Sequence, residues 1–336
     1  MNVTFIKKIF LFGILILPVY PLQAKSNPDK TDDSKKIVWL NEISSSTIKP
    51  NDKSIFESLK DIIFGEVSVS ISKPFSLYVR NLQNIIILDQ ENRGILNIAT
   101  TKKGYSIKDV IETGKYPSLI SVTDYLDNQL LFTDSQKNKI YCLDIKENKI
   151  TPFVAEEDLI RPTGIAFNRK TSTIWVVETG RHRLTILNRN GKTLKHIGKR
   201  GVDAGDFNYP TFIWISKDGL VYVVDSMNFR IQIFNADGSF KTVFGKAGDA
   251  SGYFGRPKGI ATDSFGNIYV VDALFHTVQV FDEQGNLLTY FGGPGHNKGE
   301  FWIPEGIFID KENKIYVADS YNSRIQIYQL VSQGEN

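Results

Sequence analysis

One pattern recurs six times along the 336 residues: a proline, an apolar run, a second apolar run ending in an acid, then a third run. The acids are Asp89, Asp134, Glu178, Asp225, Asp272 and Asp319, spaced 45, 44, 47, 47 and 47 apart. The opening prolines are Pro74, Pro117, Pro162, Pro210, Pro257 and Pro304, each 15 to 17 residues ahead of its acid. A repeat of this length built from short strands is a small sheet that buries its faces only against its neighbours. Arranged radially, such units close a ring and protect their edges. The expectation is an all-β chain folded as a six-bladed β-propeller of four-stranded antiparallel blades.

Residues 210–244 show the unit most plainly. Phe212–Ile215, Val221–Val224 closed by Asp225, Ile231–Phe234 and Phe240–Phe244 read as four strands, and Asp218-Gly219 and Asp237-Gly238 supply the tight turns. The sixth unit has only three strands before the chain reaches a polar tail, so its outer strand must come from elsewhere, because an open ring would expose edges. Ile37–Ile43 is the preferred closing strand, paired with the third strand of blade six. Asp61–Phe64 is the second candidate, set aside because Ile55, Leu59, Ile62 and Ile63 fall at helical spacing ahead of Gly65. The domain organisation expected is a signal peptide over 1–24, a flexible leader over 25–36, a closing strand and short helical connection over 37–73, the propeller over 74–330 and a polar tail over 331–336.

The start of the chain carries Lys7 and Lys8, an apolar run from Ile9 to Leu17, Pro18 and the small residue Ala24, the parts of an export signal cleaved after Ala24. The apolar run is short for a bilayer span, so membrane attachment is expected only if the signal stays uncleaved. The expected location is periplasmic or secreted. Loss of 1–24 removes two lysines and no acids and takes the net charge from +3 to +1, which argues against a nucleic-acid partner. Cys142 is the single cysteine, which excludes an intramolecular disulfide and covalent c-type haem.

Three linkers share Gly-x2-Gly-x3-Gly-x-Phe: Gly198 to Phe207, Gly245 to Phe254 and Gly292 to Phe301, each Phe three residues before the next proline. A phosphate cradle would need a helix behind it, and a strand follows. The glycines are read as the tight path between blades and the Phe as a plug for the seam. The six acids are read as structural, each accepting hydrogen bonds from its own turn or from an Arg five residues on.

The repeats "VYVVDSMNFRIQIFNADGSF", "IYVVDALFHTVQVFDEQGNL" and "IYVADSYNSRIQIYQL" resemble NHL repeats, over essentially residues 74–330. Together with the linkers "GYFGRPKGI" and "GEFWIPEGI" and the leading "IVWLNEISSS", the chain is similar to exported bacterial six-bladed propellers often encoded near multihaem cytochromes. The resemblance implies a platform for ligands or partners. One branch of such propellers, the peptide-amidating lyase, is implied to hold zinc with three His around the channel, and its motif resembles Asp272-Ala273-Leu274-Phe275-His276. The other histidines, His182, His196 and His296, do not fall at places that would complete such a site. The residues after the opening prolines, Phe75, Ser118, Thr163, Thr211, Lys258 and Glu305, should face the channel mouth, and none is His. Calcium-dependent lactonase-like propellers suggest Glu305 as a ligand, but Lys258 on the preceding blade is placed to pair with it. Neither a catalytic residue nor a metal or other cofactor is therefore assigned.

The turns between second and third strands and the entries to first strands share one face. Arg161, Arg181, Tyr209, Arg256, Phe275 and Asn322 should surround its mouth, with Lys258, His276 and Glu305 beside them, and Arg and aromatic residues are enriched where partners bind. The function expected is a non-enzymatic exported platform that receives a protein or small ligand on this face, as an accessory to a periplasmic or envelope assembly, including an electron-transfer one. The rival is a metal-dependent lyase or hydrolase working in the central channel. The oligomeric state is left open by the sequence.

Overall fold

The computed structural model describes residues 35–48, 70–111 and 115–332. The expected export signal, most of the expected leader, the expected helical connection with its Asp61–Phe64 alternative, and the last four residues lie outside them. The described residues form six four-stranded antiparallel sheets arranged as a ring. Within each sheet the strand order follows the chain, from a first strand at the channel to a fourth at the rim, save in blade six. The only helical pieces among the described residues are three single turns, Thr179–Arg181, Ser226–Asn228 and Ser320–Asn322. Among the described residues no helix is long and apolar enough to cross a membrane.

Blade six is completed as the sequence predicts. Lys35–Ser44 pairs antiparallel with its third strand, Arg324–Ser332, including Ile43 opposite Ile325 and Trp39 opposite Tyr328. The pairing shifts by one residue between Trp39 and Asn41, and Leu40 at that bulge is exposed. Ile43 is fully buried. Trp39 Nε1 donates to Gln326 Oε1 at 3.0 Å and Arg324 meets Glu42 at 3.1 Å, so the closing strand is joined by side chains as well as by backbone.

The hydrophobic core is divided among the six seams. Val221 and Val223 of blade four pack against Trp175 and Val177 of blade three, whereas Tyr222 and Val224 pack against Ile268 and Val270 of blade five. Successive side chains point to opposite faces of a strand. Both faces of the second strand are buried, so the sequence there is apolar at every position instead of alternating. The linker phenylalanines occupy the predicted seams: Phe207, Phe254 and Phe301 are each fully buried, in the clusters between blades three and four, four and five, and five and six. A Cβ on Gly245 would stand 2.4 Å from the ring of Phe254, at a φ of +93°, so glycine is required there twice over.

Blade two departs from the expected frame. In blades one, three, four and five the opening proline lies directly opposite the acid, as Pro74 lies opposite Asp89 and Pro210 opposite Asp225. In blade two Leu119 lies opposite Asp134 and Pro117 lies two residues outside the strand. The residue next to Phe75 and Phe212 at the channel mouth is therefore Ile120, not Ser118. Ser118 instead hydrogen-bonds Ser135 across the turn.

Candidate binding face

The acid that ends each second strand organises the face that the linkers and the second-to-third turns share. Asp225 accepts from the N–H of Asn208 at 2.7 Å, from Asn228 at 2.8 Å and from Arg230 Nε at 2.8 Å. Asp319 repeats this set with Trp302 N–H, Asn322 and Arg324, each at 2.8 Å. Glu178 takes the N–H of Ile160 at 2.9 Å and Arg183 Nε at 2.7 Å. Burial alone would raise the Glu178 carboxyl, but Thr185, the Ile160 amide and Arg183 together hold it below the ordinary range. Asp272 has Thr277 where Glu178, Asp225 and Asp319 have Arg, and burial pushes its carboxyl up despite four backbone N–H donors. In every blade but the second the acid ties the preceding linker to its own turn, so the residues of both are presented side by side.

The histidines belong to this framework. His276 and His182 each sit four residues past an acid in the left-handed region, at φ 56° and 53°. His276 Nδ1 accepts the N–H of Ile303 at 3.0 Å, and His182 Nδ1 accepts that of Tyr209 at 3.1 Å. Burial lowers both pKa values. The bonds require neutral rings protonated on Nε2. His276 stacks on Trp302 at 4.9 Å and His182 meets the edge of Tyr209 at 4.4 Å. His296 lies beside Asn322, and His196 bonds Thr185 and Glu157 in an outer strand. Among the described residues no three His, Cys, Asp or Glu converge as a metal site.

The structure brings Lys258 and Glu305 together at 2.9 Å. Arg161 and Arg181 meet in one corner of blade three: Arg161 N–H donates to Asn138 at 2.7 Å and its carbonyl accepts Thr179 N–H, while Arg181 Nη1 reaches Glu178 at 2.8 Å. Arg256 is exposed, its backbone held by Asp272 at 3.0 Å. Phe275 is half-buried against Gly255. Asn322 is spent on the seam, with Nδ2 bound to both Asp319 and the Gly295 carbonyl.

Of the apolar part of this face, sequence reasoning named Tyr209 and Phe275 and passed over the rest. Met227, Leu274 and Tyr321, each two residues past its acid, are 54%, 58% and 53% exposed. Ile160, Tyr209 and Trp302 on the linkers are exposed as well. Met227 N–H donates to Asn208 and Tyr321 N–H to Trp302, which sets turn and linker against each other. These residues form an arc over blades three to six. Their signal was the equivalent position in three consecutive repeats, apolar where a solvated turn would be polar.

A model described as a 6-bladed beta-propeller matches residues 254–335, and one described as NHL repeat matches 207–234. The human E3 ubiquitin-protein ligase NHLRC1 is 37% identical over 60 residues, 18% of this chain and 15% of that protein, so the chain spans only a small part of that relative. A Bacteroides thetaiotaomicron protein of unknown function superposes with a TM-score of 0.65 at 14% identity, covering 88% of this chain and 76% of its own. A streptogramin B lyase structure gives 0.58 at 15% identity over 79% and 95% of the two chains. A catalytically inactive virginiamycin B lyase from Staphylococcus aureus with quinupristin gives 0.57 at 18% identity over 88% and 100%. At such identities these structures share the fold alone.

Proposed function

We propose that this NHL-repeat six-bladed β-propeller is an exported binding module that receives a protein partner on the linker face, as an accessory of an envelope assembly. The observation that carries the reading is the exposed arc of Ile160, Tyr209, Met227, Leu274, Trp302 and Tyr321, on a face that also holds Arg161 and Arg256. Exposed apolar groups clustered on one rigid face cost solvation unless something covers them, and aromatic and Arg side chains are the usual anchors. The carboxylate and histidine bonds beneath the arc fix its backbone, which lowers the entropy lost on docking. Its similarity to exported propellers encoded near multihaem cytochromes makes an electron-transfer assembly the first setting to search.

The test is capture from the native envelope with wild type and with Met227→Glu, Leu274→Glu and Tyr321→Glu combined. Loss of the same partner, at least about tenfold, is expected for the triple variant. A partner retained by the triple variant refutes the reading. So does stoichiometric zinc or calcium that disappears on substitution of His276 and Glu305, which would establish the channel lyase or hydrolase instead.

A further inference from the structure

The central channel is closed at the linker face. Phe75 of blade one and Phe212 of blade four, opposite each other in the ring, stack with centroids 5.8 Å apart and planes at 20°. Lys258 Nζ lies 5.7 Å over the Phe75 ring and is paired with Glu305. Behind this plug a cavity of about 430 Å³ runs to the opposite face, where the first strands turn into the second. That volume is in the range of small-molecule sites, roughly 300–1,000 Å³.

Its walls differ. Phe308 of blade six takes the edges of Tyr78 at 5.1 Å and of Trp214 at 5.6 Å, forming an aromatic wall that spans blades four to one. Trp214 crosses blade five to do so, past Gly259, with its Nε1 donating to Thr262 Oγ1 at 2.9 Å. Tyr78 and Trp214 stand on innermost strands yet remain only half-buried, because they face the cavity. The facing wall from blades two and three sets the polar Thr123, Asp124 and Asn168 among the apolar Val122, Ile165 and Phe167.

The mouth is cationic. Arg169, Lys170 and Lys217 line it against one carboxylate, Asp124, which pairs with Arg169. Lys170 Nζ donates to the Asp218 carbonyl at 2.9 Å and Lys217 Nζ to the Ser264 carbonyl at 2.7 Å. Each bond uses one of three ammonium donors and holds the charge in place. Arg80, two residues past Tyr78 on the same strand, has its Nη1 buried with no hydrogen-bond partner among the described residues. Burial raises the Tyr78 hydroxyl pKa while Arg169 and Arg80 both act to lower it, so two guanidinium groups address one neutral hydroxyl.

We propose that this cavity binds a small organic anion with a flat apolar body. The body lies against Trp214 and Phe308, and the acidic group faces Arg169, Lys170 and the Tyr78 hydroxyl. The site is separate from the linker face and does not depend on what docks there.

Two probes of similar shape test it: 8-anilinonaphthalene-1-sulfonate, which is anionic, and N-phenyl-1-naphthylamine, which is uncharged. The anion should bind saturably at one site per chain, quench tryptophan fluorescence, and bind about tenfold tighter than the neutral probe. Arg169→Gln and Lys170→Gln should each weaken the anion by roughly three- to tenfold and leave the neutral probe unchanged. Trp214→Leu should weaken both. Equal affinity for the two probes, non-saturating uptake, or unchanged binding of the anion by the folded Arg169 and Lys170 variants would overturn the proposal. Binding of the anion that is lost in the Met227, Leu274 and Tyr321 triple variant would place the probe on the linker face and overturn it too.

Discussion

In five of the six blades a single carboxylate at the end of the second strand does two jobs, capping its own turn and gripping the linker two residues ahead of the residue opposite it. In blades three, four, five and six that linker donor is the N–H of Ile160, Asn208, Gly255 and Trp302. In blade two the equivalent residue is Pro117, which has no N–H, and Asp134 Oδ2 is buried without a partner among the described residues. Pro117→Ala should supply the missing donor. A hydrogen bond to a buried charged group outweighs the chain freedom that alanine restores, so a net gain of about 1 kcal/mol is expected in urea unfolding. A loss of stability would mean that Pro117 is held for its rigid φ alone. The acids themselves were legible because they recur. Their donors were not, because backbone N–H groups carry no letter in the sequence, and a shift of two residues in blade two is visible only in the pairing.

Among the elements, the closing strand bears most on the integrity of the ring. Its partner, the third strand of blade six, would otherwise present a row of unpaired backbone groups. Ile43→Asp buries an unpaired carboxylate in the seam between blades six and one, and should cost about 3–5 kcal/mol and promote self-association through the freed edge. Size-exclusion chromatography and urea unfolding read both effects. Leu40→Asp on the exposed bulge of the same strand should stay within about 0.5 kcal/mol of wild type. Equal effects from the two substitutions would show that the strand contributes only its backbone. Third-strand glutamines do comparable work inside the blades: Gln232, Gln279 and Gln326 accept the N–H of linker Gly205, Gly252 and Gly299 at 2.8, 3.0 and 2.9 Å and return a donor to the same linker.

Across the whole molecule, ionisation sets how stability follows pH. Burial lowers His182 and His276, helped at His182 by Arg200 and partly offset at His276 by Asp319 and Asp272. In the unfolded chain these rings titrate near 6.5. As pH falls through that value the unfolded state takes up more protons than the folded one, so the stabilisation present above it is lost on the way down to the folded values. Asp272, Asp310 and Asp319 are raised by burial and act with the opposite sign, favouring the folded state below their unfolded value near 3.8 and losing that contribution as pH rises through their folded values. The melting temperature should therefore drop between pH 7.5 and 5.5. His182→Asn with His276→Asn should shrink the drop while the carboxylates titrate as before. An identical pH profile in the double variant would remove the two rings from the account.

The repeat alone determined the number of blades, the acid positions, the phenylalanine plugs and the strand that closes the ring, because each follows from period, apolar patterning and edge protection, all local in sequence. The rest depended on which side chains meet across blades. Phe75 and Phe212 lie 137 residues apart in the chain and close the channel only because blades one and four face each other. Tyr78, Trp214 and Phe308 build one wall, and Arg169, Lys170 and Lys217 one charged mouth, from separate repeats. The arc of exposed apolar turns likewise becomes a surface only when the ring sets the turns side by side. A repeat encodes what every blade needs; what one blade does to another is decided by the closed ring.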